Sequence, residues 1–197
     1  MKGEAKTIYG AIRQDLIRIH ANWQIFKQLF TVSDDCFVLM NNTAPGFFRL
    51  IQDVLVDNAV ISLSRLTDPA SYDSISRLVK ILKGQVNHSF FSELQHDLRE
   101  LELICEDIRE HRHKRVAHRV RKSKPPESSD QPIRLPPLTR KKIEGALKEI
   151  DTFMNKVLGY FESVEQIYEP IMTGDANNLI FFLKKGYEAT RPPVDFR

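Results

Sequence analysis

Residues 88–118 read HSFFSELQHDLRELELICEDIREHRHKRVAH, and the fold turns on how that stretch is read. Its apolar residues Phe91, Leu94, Leu98, Leu101, Cys105 and Ile108 recur in alternating steps of three and four. That is the period of one α-helical face, so a long helix is predicted from about His88. Continuing the alternation, the next two seam positions are Arg112 and Arg115. A charge in a place the pattern reserves for core is expensive unless paired. These arginines are therefore expected to face a cleft, a partner subunit or a ligand. At about 100° per residue, His118 lies roughly 120° round from Arg112, on the other flank of the same seam. The two residues could bracket one groove.

The end of this stretch is strongly basic. Between Arg109 and Lys124 eight Lys or Arg residues stand against one acid, Glu110, giving +7 in a chain whose total is +3. Three of the six histidines (His111, His113, His118) lie in the same run. Arginine is a permanently charged fork that fits phosphate, and histidine titrates near neutrality. Together they point to chemistry on a phosphodiester, or binding to one. The bland reading is a solvated helix end with a basic face. No pair of these histidines is spaced to share a helix face with two further acid or thiol ligands, so no metal site is expected. The chain has eight glycines and no Gly-rich phosphate loop, which argues against a nucleotide-hydrolysing fold.

Outward from this stretch the helical period continues. Upstream, Ile8, Ile12, Leu16, Ile19, Trp23, Phe26 and Phe30 form one stripe and predict a helix from Glu4 to about Phe30. Ser33-Asp34-Asp35 reads as a break before a short apolar piece, Cys36 to Met40. Asn41-Asn42-Thr43 is expected to cap a second long helix, with Pro45 in its first turn. From Phe47 to Leu66 apolar residues lie nearly all round, which predicts a central, heavily buried helix. Asp57 and Arg65 inside it are expected to pair with each other or with caps. Thr67-Asp68-Pro69 ends that helix, and a short one over Ile75 to Leu82 stops at Gly84.

Downstream, residues 122–138 are rich in proline, serine and charge, and are read as a mobile loop. Thr139 caps a long helix whose seam, Ile143, Leu147, Ile150, Met154, Val157, Phe161, Val164 and Tyr168, suggests bundle packing or a subunit contact. Asp175 to Lys185 gives a last short helix, and 188–197 reads as a tail. Phe47, Phe48, Phe181 and Phe182 lie on helical stripes and are taken as core. No aromatic platform for stacking bases stands out. The fold class is all-α, a helical bundle of long antiparallel helices in one domain over 1–187.

Composition bounds the rest. A chain of 197 residues with 42% hydrophobic and 28% charged residues is long enough to bury a core and reads as soluble. No run of about 18 apolar residues exists, so no membrane span is expected, nor does the N-terminus resemble a signal peptide. Cys36 and Cys105 read as buried thiols, and a cytoplasmic location is expected. His20, His88 and His96 are read as surface or boundary residues.

Arg112-His113-Lys114-Arg115-Val116-Ala117-His118 resembles the signature of the HEPN superfamily. There an Arg, followed at once by a polar residue, precedes a His by a short helical interval. Here the polar residue is His113, where the most similar branch more often carries Asn or Asp. Ile61-Ser62-Leu63-Ser64-Arg65-Leu66-Thr67-Asp68-Pro69 is similar to the AbiU-type, abortive-infection branch of that superfamily, and the helix order fits from about residue 7 to 186. The resemblance implies a metal-independent endoribonuclease without cofactor, working as a homodimer in which two motif helices form one composite cleft. Arg112 would stabilise the phosphate in flight, His118 would move protons, and His113 would orient them. Lys114, Arg115, Arg119, Arg121 and Lys122 would hold flanking RNA phosphates, with affinity falling as salt rises. Defence and toxin–antitoxin effectors of this type imply RNA as target and a possible antitoxin or regulatory protein as partner. Two other readings remain: a non-catalytic helical adaptor that binds RNA or protein through the same basic groove, and a plain dimeric bundle.

Overall fold

A computed structural model describes residues 1–121, 138–172 and 174–190, with backbone only over 114–121. The described residues form eight α-helices and no strand, so the fold is all-α. In chain order they are α1 (Gly3–Phe30), α2 (Asp34–Thr43), α3 (Pro45–Thr67), α4 (Ile75–Leu82), α5 (His88–Ile104), α6 (Glu106–Arg121), α7 (Arg140–Glu162) and α8 (Asp175–Thr190). Their described residues divide into two compact units: Met1–Ile19 with Ala59–Tyr168, and His20–Asn58 with Glu169–Arg197.

The larger unit is built on the periodic seams. On α5 and α6, Leu94, Leu101, Cys105 and Ile108 are buried, and on α7 Ile143, Leu147, Ile150, Met154 and Val157 join them. α5 packs against both α4 and α7. Each fully buried Leu or Ile contributes roughly 1.5–3 kcal/mol, so these apolar faces hold the helices together where intrinsic propensity alone would not. α4 begins on the side chain of Ser74, which accepts from the Arg77 N–H at 3.3 Å. Tyr9 of α1 and Tyr168 bury their hydroxyls against each other at 2.8 Å.

Several expectations change here. The stretch from His88 is two helices rather than one, parted at Cys105, whose backbone (φ −89°, ψ 1°) leaves the helical region for one residue. The ladder nearly survives: the Cys105 N–H still reaches Leu101 O and the Arg109 N–H reaches Cys105 O, each at 3.0 Å. The seam therefore keeps its register across the break. α7 stops at Glu162, short of Tyr168, because Ser163 takes a left-handed conformation (φ 50°). The Asn155 side chain then pairs with both backbone groups of Gln166, at 2.8 and 2.9 Å, and pins the reversal. Arg65 pairs with Asp15 of α1.

In the smaller unit, Trp23 and Phe26 of α1 are buried and stack at 4.5 Å, and α2 packs with α8. Ser33 caps α2, which runs on through Asn41, Asn42 and Thr43. Thr43 cannot cap α3, since its hydroxyl donates back to Leu39 and Met40 carbonyls. Pro45 opens α3 instead, where its missing N–H costs nothing. α3 is not buried all round: Phe47, Leu50 and Val54 are each more than half exposed. Of the four phenylalanines read as core, only Phe48 is; Phe181 and Phe182 lie exposed on α8, which extends to Thr190. His20 is buried rather than on the surface, and Cys36 is only half-buried, while Cys105 is fully so; both thiols are free. Residues 122–137 and 191–197, which hold the Pro-rich segment and most of the expected tail, lie outside the described residues.

Candidate active site

The site is assembled where the end of α3 meets the start of α6. Ser64 and Thr67 are buried on the last turns of α3. The Ser64 hydroxyl donates to Ile108 O at 3.3 Å, which ties the two helices together one turn before the motif. Arg109 donates to Glu102 O at 2.6 Å and Thr67 O at 3.5 Å. A guanidinium against the last carbonyl of α3 is favoured by the helix dipole. Burial pushes the Cys105 thiol up to about 11, so at neutral pH it is an uncharged packing group.

One turn further, the seam leaves the core. Ile108 is fully buried, and Arg112, the next seam position, comes out at the edge and meets Asp68 at 3.2 Å. The two side chains are 33% and 27% exposed, so the pair is reachable by solvent and by a ligand. The seam arginine, expected to face a cleft, a partner subunit or a ligand, is paired here with an internal carboxylate. Asp68 is fixed in turn: its other oxygen accepts the Ala70 N–H at 2.9 Å, closing the turn after α3. That bond first, and then the Arg112 charge and His113, hold its carboxyl below the usual range. Asp68 stays ionised and meets one Nη of the Arg112 donor fork.

His113 is exposed beside this pair. The side chains of Lys114, Arg115, His118, Arg119 and Arg121, and the whole of Lys122, lie outside the described residues. Of the expected catalytic group, Arg112 and His113 are thus placed at one edge. Asp68 is what the sequence reading missed as a site residue; its signal was present in Thr67-Asp68-Pro69, read there only as a helix end. Among the described residues no group of three or more His, Cys, Asp or Glu is arranged to hold a metal ion.

The family model HEPN_AbiU2, described as AbiU2, matches residues 2–173. The chain belongs to this family. The match takes in the helix end at Asp68, Arg112 and the whole motif through His118, and so ties the AbiU2-type chain to the abortive-infection branch of HEPN domains. No curated protein and no solved structure matches the chain. No described helix is long and apolar enough to cross a membrane.

Proposed function

We propose that this AbiU2-type domain is a metal-independent endoribonuclease whose cleft forms between two copies of the motif helix. The observation that carries the reading is Arg112: a seam arginine brought out of the core, anchored by a carboxylate, at the head of a basic helix end in a HEPN-family chain. RNA carries its own nucleophile, so an enzyme need only move protons and stabilise charge on the phosphorane. The 2′-oxygen attacks phosphorus and the P–O5′ bond breaks. His118 of one copy takes the 2′-OH proton, and an imidazole from the other returns one to the departing 5′-oxygen. Arg112 grips the equatorial oxygens with the donors Asp68 leaves free, and His113 orients the pair. Lys114, Arg115, Arg119, Arg121 and Lys122 hold flanking phosphates. Such a nuclease would serve a defence or toxin–antitoxin system in the cytoplasm, held in check by a regulatory protein.

A second reading has its own observation. Arg112 is already ion-paired, so the same basic edge could serve a non-catalytic adaptor that binds RNA or protein. Incubating RNA with purified protein in EDTA separates the two. The nuclease reading expects cleavage by the parent and at least about a hundred-fold loss in both Arg112→Ala and His118→Ala. Binding without cutting supports the adaptor, and equal cutting by all three proteins removes the assignment of these residues.

A further inference from the structure

A groove of 330 Å³ lies in the larger unit, walled by Pro69, Ala70 and Ser71 and floored by Arg77, Lys80 and Glu4. Its wall is the same turn that fixes the site: the Ser71 N–H donates to Asp68 O at 3.0 Å, and Asp68 holds Arg112. The groove is thus lined by the three residues that follow Asp68 in the chain.

Tyr72 follows Ser71, adjoins the groove through its contact with Arg77, and is 60% exposed. Arg77 covers one face of its ring, with the guanidinium carbon 3.8 Å from the centroid, and Glu4 locks Arg77 there at 2.6 Å. A large exposed aromatic held rigid on one side by a tied cation is a platform whose ordering entropy is already spent. Lys80 is exposed on the next turn of α4 and has no ion pair among the described residues, so its charge is available to an incoming anion.

From this juxtaposition we infer that the exposed Tyr72 ring and the adjoining groove lined by Arg77 and Lys80 form a second RNA subsite, taking one unpaired nucleotide of the strand held at Arg112. The base stacks on the open part of Tyr72, and Lys80 meets the neighbouring phosphate. Every base has a π-face, so the subsite selects single strands without selecting sequence. Helical spacing did not reveal this platform because Tyr72 sits in a turn, off every helical stripe. The inference rests on RNA being the ligand of the Arg112 edge.

Fluorescence anisotropy tests it, with a labelled single-stranded RNA of about twelve nucleotides carrying 2′-O-methyl groups throughout, which blocks attack by the 2′-oxygen. The full chain is compared with Tyr72→Ala, Tyr72→Phe, Lys80→Ala and Arg112→Ala. Tyr72→Ala is expected to bind about ten-fold more weakly with an unchanged salt slope, and Tyr72→Phe to bind as the parent does. Lys80→Ala is expected to reduce the slope of log affinity against log salt by about one. A Tyr72→Ala protein that binds like the parent overturns the subsite, whatever Lys80→Ala does. If the parent binds no RNA, the nuclease reading falls and the subsite with it. If the parent binds and Arg112→Ala alone weakens it, only the subsite falls.

Discussion

Asp68 is the residue on which the site's geometry depends. One oxygen accepts the Ala70 N–H, which an amide oxygen could also do, and the other pairs with Arg112, which needs the carboxylate charge. Because the pair is partly exposed, Asp68→Asn is expected to lower stability by no more than about 1 kcal/mol. The same change leaves Arg112 without its anchor, so cleavage is expected to fall far more than thermal stability does; parallel melting and nuclease assays check this. The carboxyl is held below its ordinary range, so its contribution is present above about pH 3.9 and is lost as the pH falls through the lower folded value. Cysteine gives a second check at this scale. Cys105 is buried with its thiol raised to about 11, whereas Cys36 is half-buried. Iodoacetamide at pH 8 is expected to label Cys36 alone in the native protein and both thiols after denaturation, read by mass spectrometry. The preference of Cys105 for its neutral form contributes stability below about pH 8.5 and loses it as the pH rises through about 11.

At the scale of elements, what could be read from the sequence was whatever had period. The α1 stripe, the α5–α6 seam and α4 are all in the structure where spacing put them. What escaped were single-residue events without a periodic signature. The Cys105 break leaves the seam in phase, so no pattern betrays it. Ser163 ends α7 by its own backbone twist, and Asn155 pins the following turn through side-chain bonds that apolar spacing cannot report. Asn155→Ala removes two part-buried bonds to Gln166 and is expected to cost about 2 kcal/mol in urea unfolding, with no change in the α5–α6 edge. Arg112 was legible because it interrupts a pattern. Asp68 was not, because a turn residue is expected to be polar in any case.

At the scale of the molecule, apolar runs misled in one direction only. Phe47, Phe181 and Phe182 have helical spacing yet lie exposed, because α2, α3 and α8 leave part of their smaller unit uncovered. Spacing shows that a residue shares a face with others; it does not show that another element covers that face. Membership of the HEPN_AbiU2 family joins the two ends of the argument, since the match spans the α3 end and the motif alike. The central claim is that Arg112 and His118 break RNA through its own 2′-oxygen, with no metal in the step. The chemistry of the product ends tests it most directly. RNA cut in EDTA by the parent is expected to carry 2′,3′-cyclic phosphate and 5′-hydroxyl ends, absent with His118→Ala; products bearing 3′-hydroxyl and 5′-phosphate ends, or RNA left intact by the parent, would contradict the account.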